Sequence, residues 1–191
     1  MARIGCVVMA AGSGSRFGGS KLTTPFGDGT LFSHALQAVP TELLRDSVVV
    51  SGDDGLLEQA RQQGFQAVRN SRPHLGISRT IALGMEALPE VDAILFLVAD
   101  QPLLRRETVA RLLTFYTAQP QYMAAVGAHG THGNPVIFPA AFFPELLHLQ
   151  GDRGGGCIIA AHPHMLRIMD TDPRELRDVD TLQQLRELER T

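Results

Sequence analysis

The segment of residues 9–21, MAAGSGSRFGGSK, follows directly on the apolar run Ile4–Met9. A continuous apolar run bounded by glycine reads as a strand buried on both faces, the kind found in parallel sheets covered by helices. What leaves that strand is a long glycine-rich loop. Gly12, Gly14, Gly18 and Gly19 let bare backbone N–H groups approach an anion, and Ser13 and Ser15 add hydroxyl donors. Arg16 offers a planar fork for phosphate oxygens and Lys21 a compact point charge. The spacing excludes two familiar phosphate loops. A dinucleotide fingerprint needs glycine where Phe17 stands, and a helix at once, whereas Pro25 and Gly27 keep the loop going. A Walker A loop needs lysine directly after Gly19, where Ser20 stands.

Lys21 is also the single lysine of the chain, against sixteen arginines. The arginines are spread along the sequence, while the one lysine closes the loop.

Strand and helix patterns alternate after it. Residues 47–51, 65–68, 91–98, 122–127, 135–138 and 166–169 read as strands. Residues 31–39, 55–63, 78–88, 106–117, 140–149, 157–161 and 181–189 read as helices, with Ser78 an expected N-cap. Such alternation predicts a three-layer α/β/α, mostly parallel, Rossmann-like sheet. With no repeat and no linker, residues 1–191 read as one domain. Ligands of such sheets bind beyond the carboxyl ends of the strands. Two candidate positions lie there, the loop after Met9 and the turn Ala99-Asp100-Gln101-Pro102 after the apolar run ending at Val98.

Composition narrows the partners. A net charge of -3 argues against nucleic acid or an anionic membrane as partner, and still allows a local basic pocket for a phosphorylated ligand. No apolar run is long enough to span a bilayer, and Ile4–Met9 reads as a strand, not as part of a signal peptide. Cys6 and Cys157 lack metal-ligand spacing and read as thiols, which suits a cytoplasmic protein. His129 and His132 lack a third ligand and read as exposed loop residues. Asp53 and Asp54 read as turn and N-cap residues.

The loop M-A-A-G-S-G-S-R-F-G-G-S-K resembles the pattern L-A-A-G-x-S-x-R-M-G-x-x-K of the molybdenum cofactor cytidylyltransferase-like (molybdopterin nucleotidyltransferase) family. Further segments match in order: Asn70 with Gly76-Ile77-Ser78, Leu97-Val98-Ala99-Asp100-Gln101-Pro102, Gly133-Asn134-Pro135-Val136, Gly151-Asp152, and Val179-Asp180-Thr181. The resemblance implies the nucleotidyltransferase type of sheet and a nucleotidyl transfer releasing pyrophosphate. The nucleoside triphosphate would bind at Ala10, Ala11, Gly12, Ser13, Gly14, Ser15, Arg16 and Lys21, with Gly76 and Ser78 at the base edge. The methyl of Ala11, where the guanylyl branch carries glycine, implies CTP over GTP.

Such a reaction is limited mainly by charge, so cations and positioning carry the catalysis. Arg16, Lys21 and Asp100 are the expected catalytic residues, with Asp100 holding Mg²⁺. The resemblance offers Asp180 as a second ligand; by itself Asp180 reads equally as the cap of the last helix. Gln101, Gly133, Asn134 and Asp152 would face a phosphorylated acceptor of molybdopterin type, and a molybdoenzyme or its maturation chaperone would receive the product. Asn134 stands where the family usually has histidine, Gly156 where it usually has arginine, and Thr23 and Thr24 where it has leucines. A different phosphorylated metabolite as acceptor, or a non-catalytic cofactor-binding role, therefore stay open.

Overall fold

The computed structural model describes residues 2–11 and 21–188. Nine strands and seven α-helices are formed among them: β1 (Ile4–Met9), β2 (Pro25–Phe26), β3 (Gly29–Thr30), α1 (Leu31–Gln37), β4 (Asp46–Ser51), α2 (Asp54–Gln62), β5 (Gln66–Arg69), α3 (Ile77–Glu86), β6 (Ala93–Val98), α4 (Arg106–Ala118), β7 (Met123–Ala128), β8 (Thr131–Pro139), α5 (Phe143–Leu147), α6 (Gly156–Ala161), β9 (Leu166–Asp170) and α7 (Leu182–Leu188). The main sheet has the order β5-β4-β1-β6-β8-β7-β9. Every strand in it is parallel to β1 except β8, which runs antiparallel to both β6 and β7.

Strand alternation sorts the apolar side chains to two faces. Cys6, Val8, Leu95 and Leu97 join a core with Phe32 of α1, Leu57 of α2 and Leu112 of α4. Val7, Ile94 and Phe96 join a second core with Ile81 of α3, Leu146 of α5 and Ile159 of α6. These are the three layers expected, with each buried Val, Leu or Ile contributing about 1.5–3 kcal/mol. Burial also pushes the Cys6 thiol up to about 12, which leaves it unreactive in the folded chain. Gly84 serves the second core: a Cβ there would lie 2.5 Å from Cγ1 of Val7, so glycine lets α3 settle onto β1.

Several elements differ from the sequence reading. α1 stops at Gln37, short of Val39, and begins with a reciprocal cap in which Thr30 and Ser33 exchange hydrogen bonds. Residues 25–30, expected as loop, form the small β2–β3 ribbon. α3 starts at Ile77, so Ser78 is inside the helix and Gly76 holds the N-cap position. β7 and β8 form a hairpin closed by His129 and Gly130, both at positive φ, with His132 in the strand. Asp53 caps α2 by accepting from the N–H groups of Gly55 and Leu56. A third small core of Phe26, Leu31, Val179, Leu185 and Leu188 seats α7 against the β2–β3 ribbon and α1. That satellite core joins residues 26–31 to the last described helix.

Candidate nucleotide site

β1 lies between β4 and β6, and the chain crosses from β5 on one side of β1 to β6 on the other. This is the point where strand order reverses, and the crevice beyond it is where open α/β sheets hold their ligands. Met9 pairs in register with Val98, so the loop after β1 and the Asp100 turn leave the sheet side by side. Ala10 is buried and fixed to β4: its N–H donates to the carbonyl of Val50 at 2.9 Å, and its carbonyl accepts from Ser51 Oγ at 2.9 Å. Ala11 follows at the crevice. Gly12, Ser13, Gly14, Ser15 and Arg16 lie outside the described residues.

Lys21 re-enters next to Asp100. Its Nζ donates to Oδ2 of Asp100 at 2.8 Å and to Oδ1 of Asp180 at 2.9 Å. Burial would lower the Lys21 pKa, but the hydrogen bonds and charges of Asp100 and then Asp180 outweigh it and hold the ammonium above its ordinary value. Three residues far apart in sequence thus share one charge cluster, with the lysine side chain mostly buried and Asp180 half open to solvent.

The alternative role for Asp180 goes to its neighbour. Gln184 Oε1 accepts from the Thr181 N–H at 2.9 Å while Thr181 Oγ1 accepts from the Gln184 N–H at 3.2 Å. This reciprocal box caps α7, and leaves the Asp180 carboxylate to Lys21.

Asp178 belongs to the same cluster and went unremarked in the sequence. Partial burial, then the charge of Asp100, raises its carboxyl above the ordinary 3.8. The sequence offered no signal beyond Asp-Val-Asp itself, whose valine is fully buried while the aspartates flank it. A carboxyl with a raised folded pKa costs stability at pH above that value, and the cost disappears as pH falls below the unfolded 3.8. Asp178→Asn is therefore expected to raise the melting temperature at pH 7 in EDTA, with the gain shrinking as the buffer is taken to pH 3. An unchanged or lowered melting temperature at pH 7 would contradict this electrostatic picture.

Gln101 is turned inward. It is 3% exposed, its Nε2 donates to the carbonyl of Leu176 at 3.3 Å, and its Oε1 has no partner among the described residues. Through this bond the buried amide ties the segment at Leu176 to the turn after β6.

Most of the remaining expected residues lie in the loops around α3 and at the start of β8. Gly76 adopts φ +85° and ψ −178°, and a Cβ there would stand 2.2 Å from the carbonyl carbon of Gly151 and 2.7 Å from the Asp152 nitrogen. The buried Ser78 donates its N–H to the Gly151 carbonyl at 3.1 Å. Asn70, also buried, accepts from the Arg72 N–H and donates to Thr80 Oγ1, fixing the loop between β5 and α3. Gly133 and Asn134 open β8 at the carboxyl side of the sheet, with Gly133 close to Leu176. The structure therefore forms two groups, Lys21–Asp100–Asp180 and Gly76–Ser78–Gly151–Asp152, both outside strand carboxyl ends.

A crevice at the switch point after β1, with a lysine–carboxylate cluster beside it, is the arrangement in which open α/β sheets hold their ligands. The MobA-like NTP transferase domain model matches residues 6–166, and the chain belongs to that family. No curated protein matches the chain. Among solved structures, Rv0371c of Mycobacterium tuberculosis H37Rv is 22% identical with a TM-score of 0.82, covering 100% of this chain and 99% of its own. Rv0371c has also been solved in complex with manganese. The nucleotidyl transferase Mth528 of Methanothermobacter thermautotroptrophicus is 20% identical with a TM-score of 0.83, covering 98% and 96%. A cytidylyltransferase from Leptospira borgpetersenii is 20% identical with a TM-score of 0.74, covering 99% and 86%. Family membership makes the chain an NTP-using nucleotidyltransferase. No described helix is long and apolar enough to cross a membrane.

Proposed function

We propose that this enzyme transfers the cytidylyl group of CTP to a phosphorylated acceptor of molybdopterin type, using Mg²⁺. The observation that supports it best is the Lys21 ammonium held between Asp100 and Asp180 at the mouth of the β1–β6 crevice. Two carboxylates that share one cation supply the hard oxygen donors a divalent ion prefers. Such an ion would take its remaining ligands from phosphate oxygens and water. Asp100 and Asp180 would hold it; when bound it would neutralise the triphosphate and polarise the α-phosphorus.

In this reading an acceptor phosphate oxygen attacks the α-phosphorus of CTP. The bond from that phosphorus to the α–β bridging oxygen breaks, and pyrophosphate leaves with its electron pair. Ala10 and Ala11 set the start of the phosphate loop, and Arg16 and the loop N–H groups of Gly12–Ser15 bind the phosphates. Lys21, released from a carboxylate, meets phosphate oxygens and stabilises the charge that builds on pyrophosphate. Gly76 and Ser78 would border the base, and the Ala11 methyl favours the smaller pyrimidine. Gly133, Asn134 and Asp152 would face the acceptor, with Arg153 supplying a cation near the position where Gly156 replaces the family arginine. Delivery of the product to a molybdoenzyme or its maturation chaperone follows from that acceptor.

The test is pyrophosphate release with Mg²⁺ and each NTP, paired with molybdopterin and with sugar-phosphate acceptors. CTP with molybdopterin is expected to be the fastest pairing. Faster release with GTP would overturn the base assignment, and release with a sugar phosphate alone would overturn the acceptor. Silence with every pairing would leave a non-catalytic binding protein.

A further inference from the structure

Asp180 is half exposed, and Lys21 Nζ is the one partner its carboxylate has among the described residues. Its position is therefore set by its backbone. Between the end of β9 at Asp170 and the start of α7 at Leu182, that backbone has no regular structure beyond a 3-10 turn at Pro173–Leu176. Three tethers hold it over the carboxyl edge of the sheet. The Val179 N–H donates to the Asp100 carbonyl at 2.9 Å, and the Gln101 amide holds the Leu176 carbonyl. The third tether is ionic. Glu175 is 3% exposed, yet its carboxylate accepts from the Arg105 N–H at 3.0 Å, from Arg105 Nε at 2.9 Å and from its terminal nitrogen at 2.5 Å, with Thr171 Oγ1 at 3.4 Å.

A carboxylate this buried is costly unless its lone pairs are taken up, and here a backbone N–H, a guanidinium and a hydroxyl take them up. The arrangement binds the middle of the 171–180 segment to the first residues before α4, next to the Asp100 turn. We infer that Glu175 is a positioning residue for the metal and nucleotide site: through its bonds to Arg105 it sets where Asp180 stands relative to Asp100 and Lys21. The inference rests on the reading of Asp180 as a metal ligand.

Outer groups that orient metal ligands typically change metal affinity or activity by about 10–100-fold when removed. Mn²⁺ binding to the whole protein in the presence of CTP, followed by EPR, reads this directly. Glu175→Ala is expected to weaken Mn²⁺ about 10–100-fold, with CTP affinity in EDTA unchanged. Glu175→Gln keeps one oxygen for the Arg105 N–H but sets its NH2 against the guanidinium, and is expected to recover only part of the loss. Arg105→Met removes the guanidinium while keeping that N–H, and carries the test if the alanine variant does not fold. It is expected to move Mn²⁺ affinity in the same direction. A lowered melting temperature with wild-type Mn²⁺ affinity in these variants would reduce Glu175 to a structural residue and overturn the inference. Asp180→Asn separates the two readings. If it weakens Mn²⁺ while the Glu175 variants do not, the positioning role alone fails; if it leaves Mn²⁺ unchanged, the ligand reading fails and takes the inference with it.

Discussion

Asp100→Asn is expected to lower pyrophosphate release by about a thousandfold while CTP still binds. In the proposed mechanism the substitution takes away a carboxylate oxygen that would hold the metal, and it unbalances the cluster in which Lys21 Nζ lies 2.8 Å from Asp100. Metal-ion stabilisation of a transition state is worth several kcal/mol, and about 4 kcal/mol corresponds to three orders of magnitude in rate. The fold should survive, because the backbone of this turn is held by the Asp100 carbonyl accepting from the Val179 N–H, which the substitution leaves alone. A second signature comes from Asp178. The Asp100 charge is the second cause of its raised carboxyl, after burial, so the Asp178 pKa is expected to fall in the variant, visible by NMR titration. An active Asp100→Asn enzyme would remove Asp100 from the mechanism.

The second large effect is expected at Gly76, on stability. Its φ of +85° with ψ of −178° is open in practice to glycine alone, and residues forced there cost about 1–3 kcal/mol. The Cβ of an alanine would also stand 2.3 Å from the Gly151 carbonyl oxygen, which is backbone and cannot swing aside. Strain and clash together suggest roughly 3–5 kcal/mol, or a melting temperature lower by about 10 °C for a chain of this size. Gly151 is the internal control: it too has positive φ, at +62°, but a Cβ there meets nothing within 4 Å. Gly151→Ala should cost only about 1 kcal/mol. Similar losses at both positions would mean that the Gly76 and Gly151 backbones are free to part.

The layers of the fold were legible because burial on both faces leaves a local record. Ile4–Met9 and the run before Asp100 are apolar throughout, and the helices between strands carry their own periodicity. Helix ends were less legible. Ser78 has the chemistry of an N-cap, yet the close approach of Gly151 and Asp152 to Gly76 moved the helix start one residue earlier. The β2–β3 ribbon was missed because its two-residue strands are too short to show any period.

The site divides in the same way. The sequence by itself determined that a glycine-rich segment with the chain's one lysine at its end follows the first strand, and that a carboxylate follows another buried strand. It also identified the family, since ordered motifs survive without contacts. Tertiary structure alone decided that these strands are neighbours and that Lys21 joins Asp100 to Asp180 across most of the chain. It gave the cap of α7 to Thr181 and Gln184, turned Gln101 inward, and brought Asp178 and Glu175 into view. The physical reason is that residue type fixes what a group can bind, whereas partner and exposure depend on which segments the sheet places side by side.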